Sequence, residues 1–159
     1  MNEELKKPIS TKEIEWRIQS AKNGKMIVVP YITNRTVMER FDKAFSPDGW
    51  QNKFELWRDK GVMCGIGVLC DDNTWVWKFD GADETHIEPT KGGFSDSMKR
   101  AAAQWGLARG LYDYPAVMIE TTSEKFIDNW AYEMLDKLVD AFNEGKLEGR
   151  DYIVLKQKK

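Results

Sequence analysis

Residues 50–80 constrain the fold more than any other part of this chain. At their centre, VMCGIGVLC (62–70) is apolar throughout, with no charge to place at a surface. A short apolar run bounded by turn residues fits a central strand. The runs on either side, 50–58 and 74–80, alternate apolar with polar residues, as strands with one wet face do. Asp59-Lys60-Gly61 and Asp71-Asp72-Asn73 supply tight turns between them, so the economical reading is an antiparallel meander with VMCGIGVLC in the middle. Gly65 and Gly67 within that strand mark either a bulge or the close approach of another backbone.

Helical patterns flank the meander. Ser10 with Glu13 makes a capping box and predicts a helix to about Lys22, ended by Asn23-Gly24. KMIVVPYI (25–32) predicts a strand, with Pro30 pointing to an edge or a break. Asn34 is placed to cap a helix carrying Val37, Met38, Phe41 and Phe45, and Ser46-Pro47-Asp48-Gly49 closes it with a turn. Ser95-Asp96-Ser97 reads as the start of a helix over 96–111, whose Met98, Ala101, Ala102, Trp105 and Ala108 form one core-facing stripe. A longer amphipathic helix, capped by Ser123, carries Phe126, Ile127, Trp130, Met134, Leu138 and Phe142 and stops at Gly145. The expected class is α+β, an antiparallel β-β-β meander packed on an α-helix. N-terminal helices and a C-terminal helix flank it.

The 159 residues suit one domain with a real core. No apolar run reaches the roughly 18 residues of a membrane span, and the N-terminus lacks a signal-peptide core. Cys64 and Cys70 lie in one apolar stretch without metal-ligand spacing, which reads as reduced thiols and a cytoplasmic protein. His86 is the single histidine, which argues against histidine-based catalysis or a multi-histidine metal site. The net charge is −2. Within 120–151 nine acids stand against four bases, a net −5, so the remainder of the chain is +3. A local basic groove is therefore compatible with an acidic total.

The stretch TKGGFSDSMKR (90–100) poses the main functional question. Lys99 and Arg100 stand side by side near a predicted helix start, where the dipole disfavours cations. One reading is a solvated face. The other is a phosphate site, with Gly92, Gly93, Ser95 and Ser97 as further donors. A Walker loop is excluded because Lys91 precedes the glycines. Asp80, Asp83 and Glu88, with Lys78 or Lys91, raise a magnesium-nuclease alternative, although their spacing matches no nuclease pattern. Trp75 and Trp77 share one strand face, as core residues or, if exposed, as stacking platforms for bases.

Several of these pieces occur together in one family. IEWRIQ (14–19), YITNRTVMERFDKAF (31–45) followed by Gly49-Trp50, VMCGIGVLC, and KGGFSDSMKRAAAQWGLARGLY (91–112) resemble the Rad-52 family of single-strand annealing proteins. The likeness is strongest to its bacterial and phage Sak-type and DdrA-like branch. It implies a β-β-β-α core that assembles into homo-oligomeric rings, binds single-stranded DNA in a basic groove and anneals complementary strands without ATP, metal or other cofactor. No catalytic residue is implied. DNA-contacting positions fall on Arg35, Lys99 and Arg100, with Lys91 and Ser95 beside them; a further basic residue of the eukaryotic pattern is Ala103 here. On this view residues 1–115 are the DNA-binding and oligomerisation core. Residues 116–159 are an acidic helical extension with a short basic tail, and a host or phage single-strand-binding protein is a candidate partner. The rival readings are the nuclease and a protein-interaction module acting through the C-terminal helix.

Overall fold

The computed structural model describes residues 3–57, 61–83, 89–121 and 123–157. In chain order its elements begin with α1 (Glu3–Lys6), β1 (Glu15–Lys22), β2 (Lys25–Tyr31) and α2 (Asn34–Phe45). The meander follows as β3 (Trp50–Trp57), β4 (Gly61–Leu69) and β5 (Trp75–Asp83). Then come α3 (Pro89–Gln104), a 3-10 turn (Arg109–Asp113), β6 (Ala116–Glu120), α4 (Asn129–Asn143) and β7 (Tyr152–Leu155). Two compact units result, one of Met1–Lys7 with Ile32–Arg109, the other of Pro8–Tyr31 with Gly110–Lys159. Among the described residues no helix is long and apolar enough to cross a membrane.

The first unit is built on the expected meander. Its three strands pair antiparallel in the order β3-β4-β5, with β4 central. Directly paired residues share a face, so Val62, Cys64, Ile66 and Val68 point one way, and all four are buried. Helix α3 covers that face with Met98, Ala101 and Ala102, also buried. The Val, Ile and Met side chains each contribute roughly 1.5–3 kcal/mol when fully removed from water. Three contacts pin helix to sheet: Trp105 Nε1 donates to the Ile66 carbonyl (3.0 Å), Asn52 Nδ2 reaches Met98 Sδ (3.6 Å), and the Phe54 and Phe94 rings meet at 4.8 Å. Helix α2 adds Val37 and Phe41 to the interior. Its cap is Thr33, one residue earlier than expected, whose hydroxyl oxygen accepts from the Thr36 N–H at 3.5 Å. Met38, expected on the apolar face, is exposed. Buried Arg40 ties α2 to α1 by donating to the Glu4 carbonyl (2.9 Å).

Helix α3 does not begin at Asp96. It starts at Pro89 and ends at Gln104, so the Ser95-Asp96-Ser97 cap expectation fails. Proline at the first helical position loses no hydrogen bond there and brings a helical φ. Gly92-Gly93 lie within the helix, and the sheet needs Gly93 small. A Cβ on Gly93 would fall 2.9 Å from Val62 Cγ2. The helix stops at a Schellman cap around Gly106 (φ 104°): the Leu107 N–H bonds Ala102 O, and the Gly106 N–H bonds Ala103 O.

The second unit holds a four-stranded sheet, β1-β2-β6-β7, with β6 and β7 parallel. Met26, Val28, Val117, Ile119 and Leu155 pack with Ile127, Ala131 and Leu135 into one core. The predicted helix over 10–22 is instead a single turn followed by β1. The carboxylate arm of the capping box forms, with Glu13 accepting from the Ser10 amide (3.0 Å) and hydroxyl (2.8 Å). Strand period then wins, because Trp16 and Ile18 share a face that packs on this core. Asn23 (φ 54°) and Gly24 (φ 72°) form a two-residue hairpin turn rather than a helix end. Strands β6 and β7 were not anticipated. Helix α4 starts at Asn129, later than the Ser123 expectation; Ser123 instead closes a local turn through the Lys125 and Phe126 amides. Its buried residues are Ala131, Leu135 and Val139, so Trp130, Met134 and Leu138 flank the buried stripe rather than form it. Gly145 ends it as expected, with φ 74°.

Candidate nucleic-acid interface

Arg35, Ser95, Lys99 and Arg100 all belong to the first unit, Arg35 on α2 and the others on α3. Starting α3 at Pro89 moves Lys99 and Arg100 from a first turn to the eleventh and twelfth of sixteen residues. The dipole puzzle disappears, since neither cation lies in the first turn, where the dipole opposes positive charge. The glycine donors also drop out, because Gly92 and Gly93 are interior helix positions.

Each cation of the pair has a carboxylate. Lys99 Nζ lies 2.9 Å from Asp96 Oδ1, one turn back on the same helix. Arg100 Nε lies 3.0 Å from Asp80 Oδ1 on β5. Asp80 thus appears as Arg100's partner rather than as a free metal ligand, and it also accepts from the Gly81 amide at 2.8 Å. With Arg100 49% exposed, the contact is a surface ion pair worth under about 1 kcal/mol. A phosphate that offers two or more oxygens competes for such a guanidinium on favourable terms.

Two more cations gather at the end of α3. Lys78 Nζ donates to the Gln104 carbonyl (2.9 Å) and lies 4.6 Å from the centre of the Trp105 ring. Arg109 donates from Nε to Ala103 O and from NH2 to Gln104 O, both at 3.0 Å. The last carbonyls of a helix attract positive charge, which holds Lys78 and Arg109 there, while Arg100 sits one turn back on the same helix. Arg109 was not singled out from the sequence, and Lys78 only as a nuclease lysine. The signal existed in the Gly106 stop, which fixes where α3 ends and so which cations can reach its carbonyls.

Arg35 is exposed in the first turn of α2. It stands ten residues, about 15 Å of helix, from Phe45, whose ring meets Trp105 at 6.4 Å. The structure therefore brings Arg100 together with Lys78 and Arg109 and leaves Arg35 at the far end of α2. Ser95 is half-buried on α3, and the neighbouring Ser97 turns inward, donating to the Phe94 carbonyl at 3.1 Å. The backbone of Lys91 lies in α3; its side chain, and all of Glu88 and His86, fall outside the described residues. Among the described residues no group of three His, Cys, Asp or Glu side chains is arranged to hold a metal ion.

The sequence profile of the Rad52/22 family double-strand break repair proteins matches residues 1–131. Among individual relatives, the single-stranded DNA-binding protein DdrA of Deinococcus radiodurans is 29% identical over 119 residues, covering 70% of this chain and 54% of its own length. DdrA of Deinococcus deserti is also 29% identical over 119 residues, covering 70% of this chain and 56% of its own. The chain thus spans about half the length of these two relatives.

Proposed function

Because the chain belongs to the Rad52/22 family of double-strand break repair proteins, we propose that it binds single-stranded DNA and anneals complementary strands without ATP. The observation that carries this reading is the gathering of Arg100, Lys78 and Arg109 around the C-terminal half of α3, inside the matched region. An annealing protein must hold phosphates and leave base edges free, so cations on a rigid helix suffice and no reacting side chain is required. Single-stranded DNA binding by the DdrA relatives supports the same ligand class.

Few cations per subunit make a weak site, which points to a homo-oligomer, a ring in the simplest case. Repeating the site along one strand multiplies affinity through effective concentration. DNA contact is assigned to Lys99 and Arg100, with Arg35, Lys91 and Ser95 as further candidates, all within the proposed core of residues 1–115. The test is annealing of complementary oligonucleotides without nucleotide or metal, with particle mass measured on the same sample. Lys99→Ala with Arg100→Ala should cut single-stranded DNA affinity at least tenfold in low salt while the thermal melt stays unchanged. Equal affinity of the double variant would remove α3 from the binding site.

A further inference from the structure

We propose that the second unit carries a docking cleft for a basic peptide, and that an arginine side chain of that peptide fills it. The cleft, about 410 Å³, lies wholly within the unit, where the β1-β2 turn, the ends of β6 and β7 and the start of α4 meet. Trp130, Asp128, Thr121, Glu120, Lys25 and Gln157 line it. An indole wall with a carboxylate beside it is a surface on which a guanidinium can both stack and pair. Asp128 supplies that carboxylate. It stands at the N-cap of α4, where an aspartate ordinarily accepts from the helix amides, yet its side chain makes no capping bond. Its Oδ2 instead accepts from the Thr121 hydroxyl at 2.6 Å, and that hydroxyl oxygen accepts from the Ser123 amide at 3.0 Å. Glu120 is already engaged. Lys156 Nζ lies 2.8 Å from its Oε1, and Lys25 faces it across the β2-β6 pairing.

Charge beyond the cleft selects a cationic partner. Along α4 the exposed Glu133, Asp136 and Asp140 stand against the single base Lys137, within the segment 120–151 whose net charge is −5. A polyanion is repelled by such a surface and a basic chain is drawn to it. The neighbouring sheet edge points to a peptide rather than a free amine. Strand β7 is the last of its sheet and pairs only with β6, and its Tyr152 and Val154 side chains are exposed. An extended segment can hydrogen-bond along an edge of this kind. Gln157, two residues past the end of β7, lines the cleft, so a peptide following that edge arrives there.

The inference uses no residue of the proposed DNA site, and its test keeps the two apart. The probe is a fluorescein-labelled peptide of alternating arginine and valine, read by anisotropy. The same peptide with citrulline, which keeps the shape and removes the charge, is the control. The wild type should bind the arginine peptide saturably and the citrulline peptide about tenfold more weakly. Asp128→Asn, which can still accept from Thr121, and Trp130→Leu should each weaken binding roughly five- to tenfold. Circular dichroism melts verify that both variants fold, and oligo-dT affinity on the same samples should not change. Absence of saturable peptide binding, or equal binding by the folded variants, overturns the proposal. Displacement of the peptide by spermidine at equal charge would make the cleft a free-amine site. Loss of oligo-dT affinity in the variants would make it a nucleic-acid site, and either result overturns the peptide assignment. A wild type that takes the peptide but not oligo-dT overturns the annealing reading alone.

Discussion

At the scale of single residues, the carboxylate beside Arg100 governs what the cation can do. Asp80 holds Arg100 Nε at 3.0 Å and accepts from Gln104 Nε2 at 3.3 Å, so it orients the guanidinium and partly neutralises it. A phosphate must displace or share with that carboxylate. Asp80→Asn keeps the shape and the acceptor oxygen while removing the charge, and should tighten single-stranded DNA binding about three- to tenfold at low salt by gel shift. Weaker binding in that variant would mean that the carboxylate positions Arg100 more than it opposes the ligand. The thiols offer a separate check. Burial against α3 pushes the Cys64 thiol up to about 12, since a thiolate there would lack solvation. At pH 8 a maleimide or aromatic disulfide reagent should therefore modify half-buried Cys70 and leave Cys64 untouched until the protein is unfolded. Two fast equivalents in the native protein would contradict the packing of β4.

At the scale of elements, glycine sets several of the packing distances. Gly49 closes the turn between α2 and β3 with its amide on the Ser46 carbonyl at 3.1 Å. A Cβ there would fall 2.0 Å from the Phe45 carbonyl oxygen, a backbone atom with little freedom to yield. Gly49→Ala should cost about 2 kcal/mol or more, comparable with other strained backbone substitutions, and lower the melting midpoint by several degrees. An unchanged midpoint would show that the turn has another low-energy form. The same dependence on packing explains which elements were legible in the sequence. The meander was, because an uncharged strand between two alternating ones has few other places to go. The first strand was not, because Ser10-Glu13 is a genuine cap pattern and only tertiary contact of Trp16 and Ile18 reveals that it caps a lone turn. Helix α3 was read seven residues late. Gly92-Gly93 look like a break until the Val62 side chain beneath Gly93 is known. The candidate cations were legible one at a time. Their pairing with Asp80 and Asp96 was not, since it depends on how α3 lies across β5.

At the scale of the whole molecule, charge is local rather than global. The sequence concentrates acid in residues 120–151, but the fold joins Pro8–Tyr31 to Gly110–Lys159. The second unit then holds eleven bases and twelve acids, and the first holds thirteen and fourteen, a net −1 for each. Neither unit attracts DNA from a distance, so affinity must come from direct phosphate contacts, and those respond to salt in a countable way. Log affinity for single strands falls with log salt at a slope near −0.7 for each phosphate neutralised. Contacts by Arg35, Lys99 and Arg100 predict a slope of about −2 per engaged subunit, or roughly a twentyfold loss from 50 to 200 mM salt. Pairing with Asp80 and Asp96 makes the slope shallower, because a cation already holding a carboxylate releases less bound salt on exchange. Asp80→Asn should therefore steepen the slope as well as raise the affinity, while Lys99→Ala with Arg100→Ala should flatten it toward −0.7. The measurement is a set of fluorescence titrations with a labelled oligo-dT at five salt concentrations. A wild-type slope near zero would mean that stacking rather than phosphate contact holds the strand, and would move the binding surface from α3 to the aromatic face of the sheet.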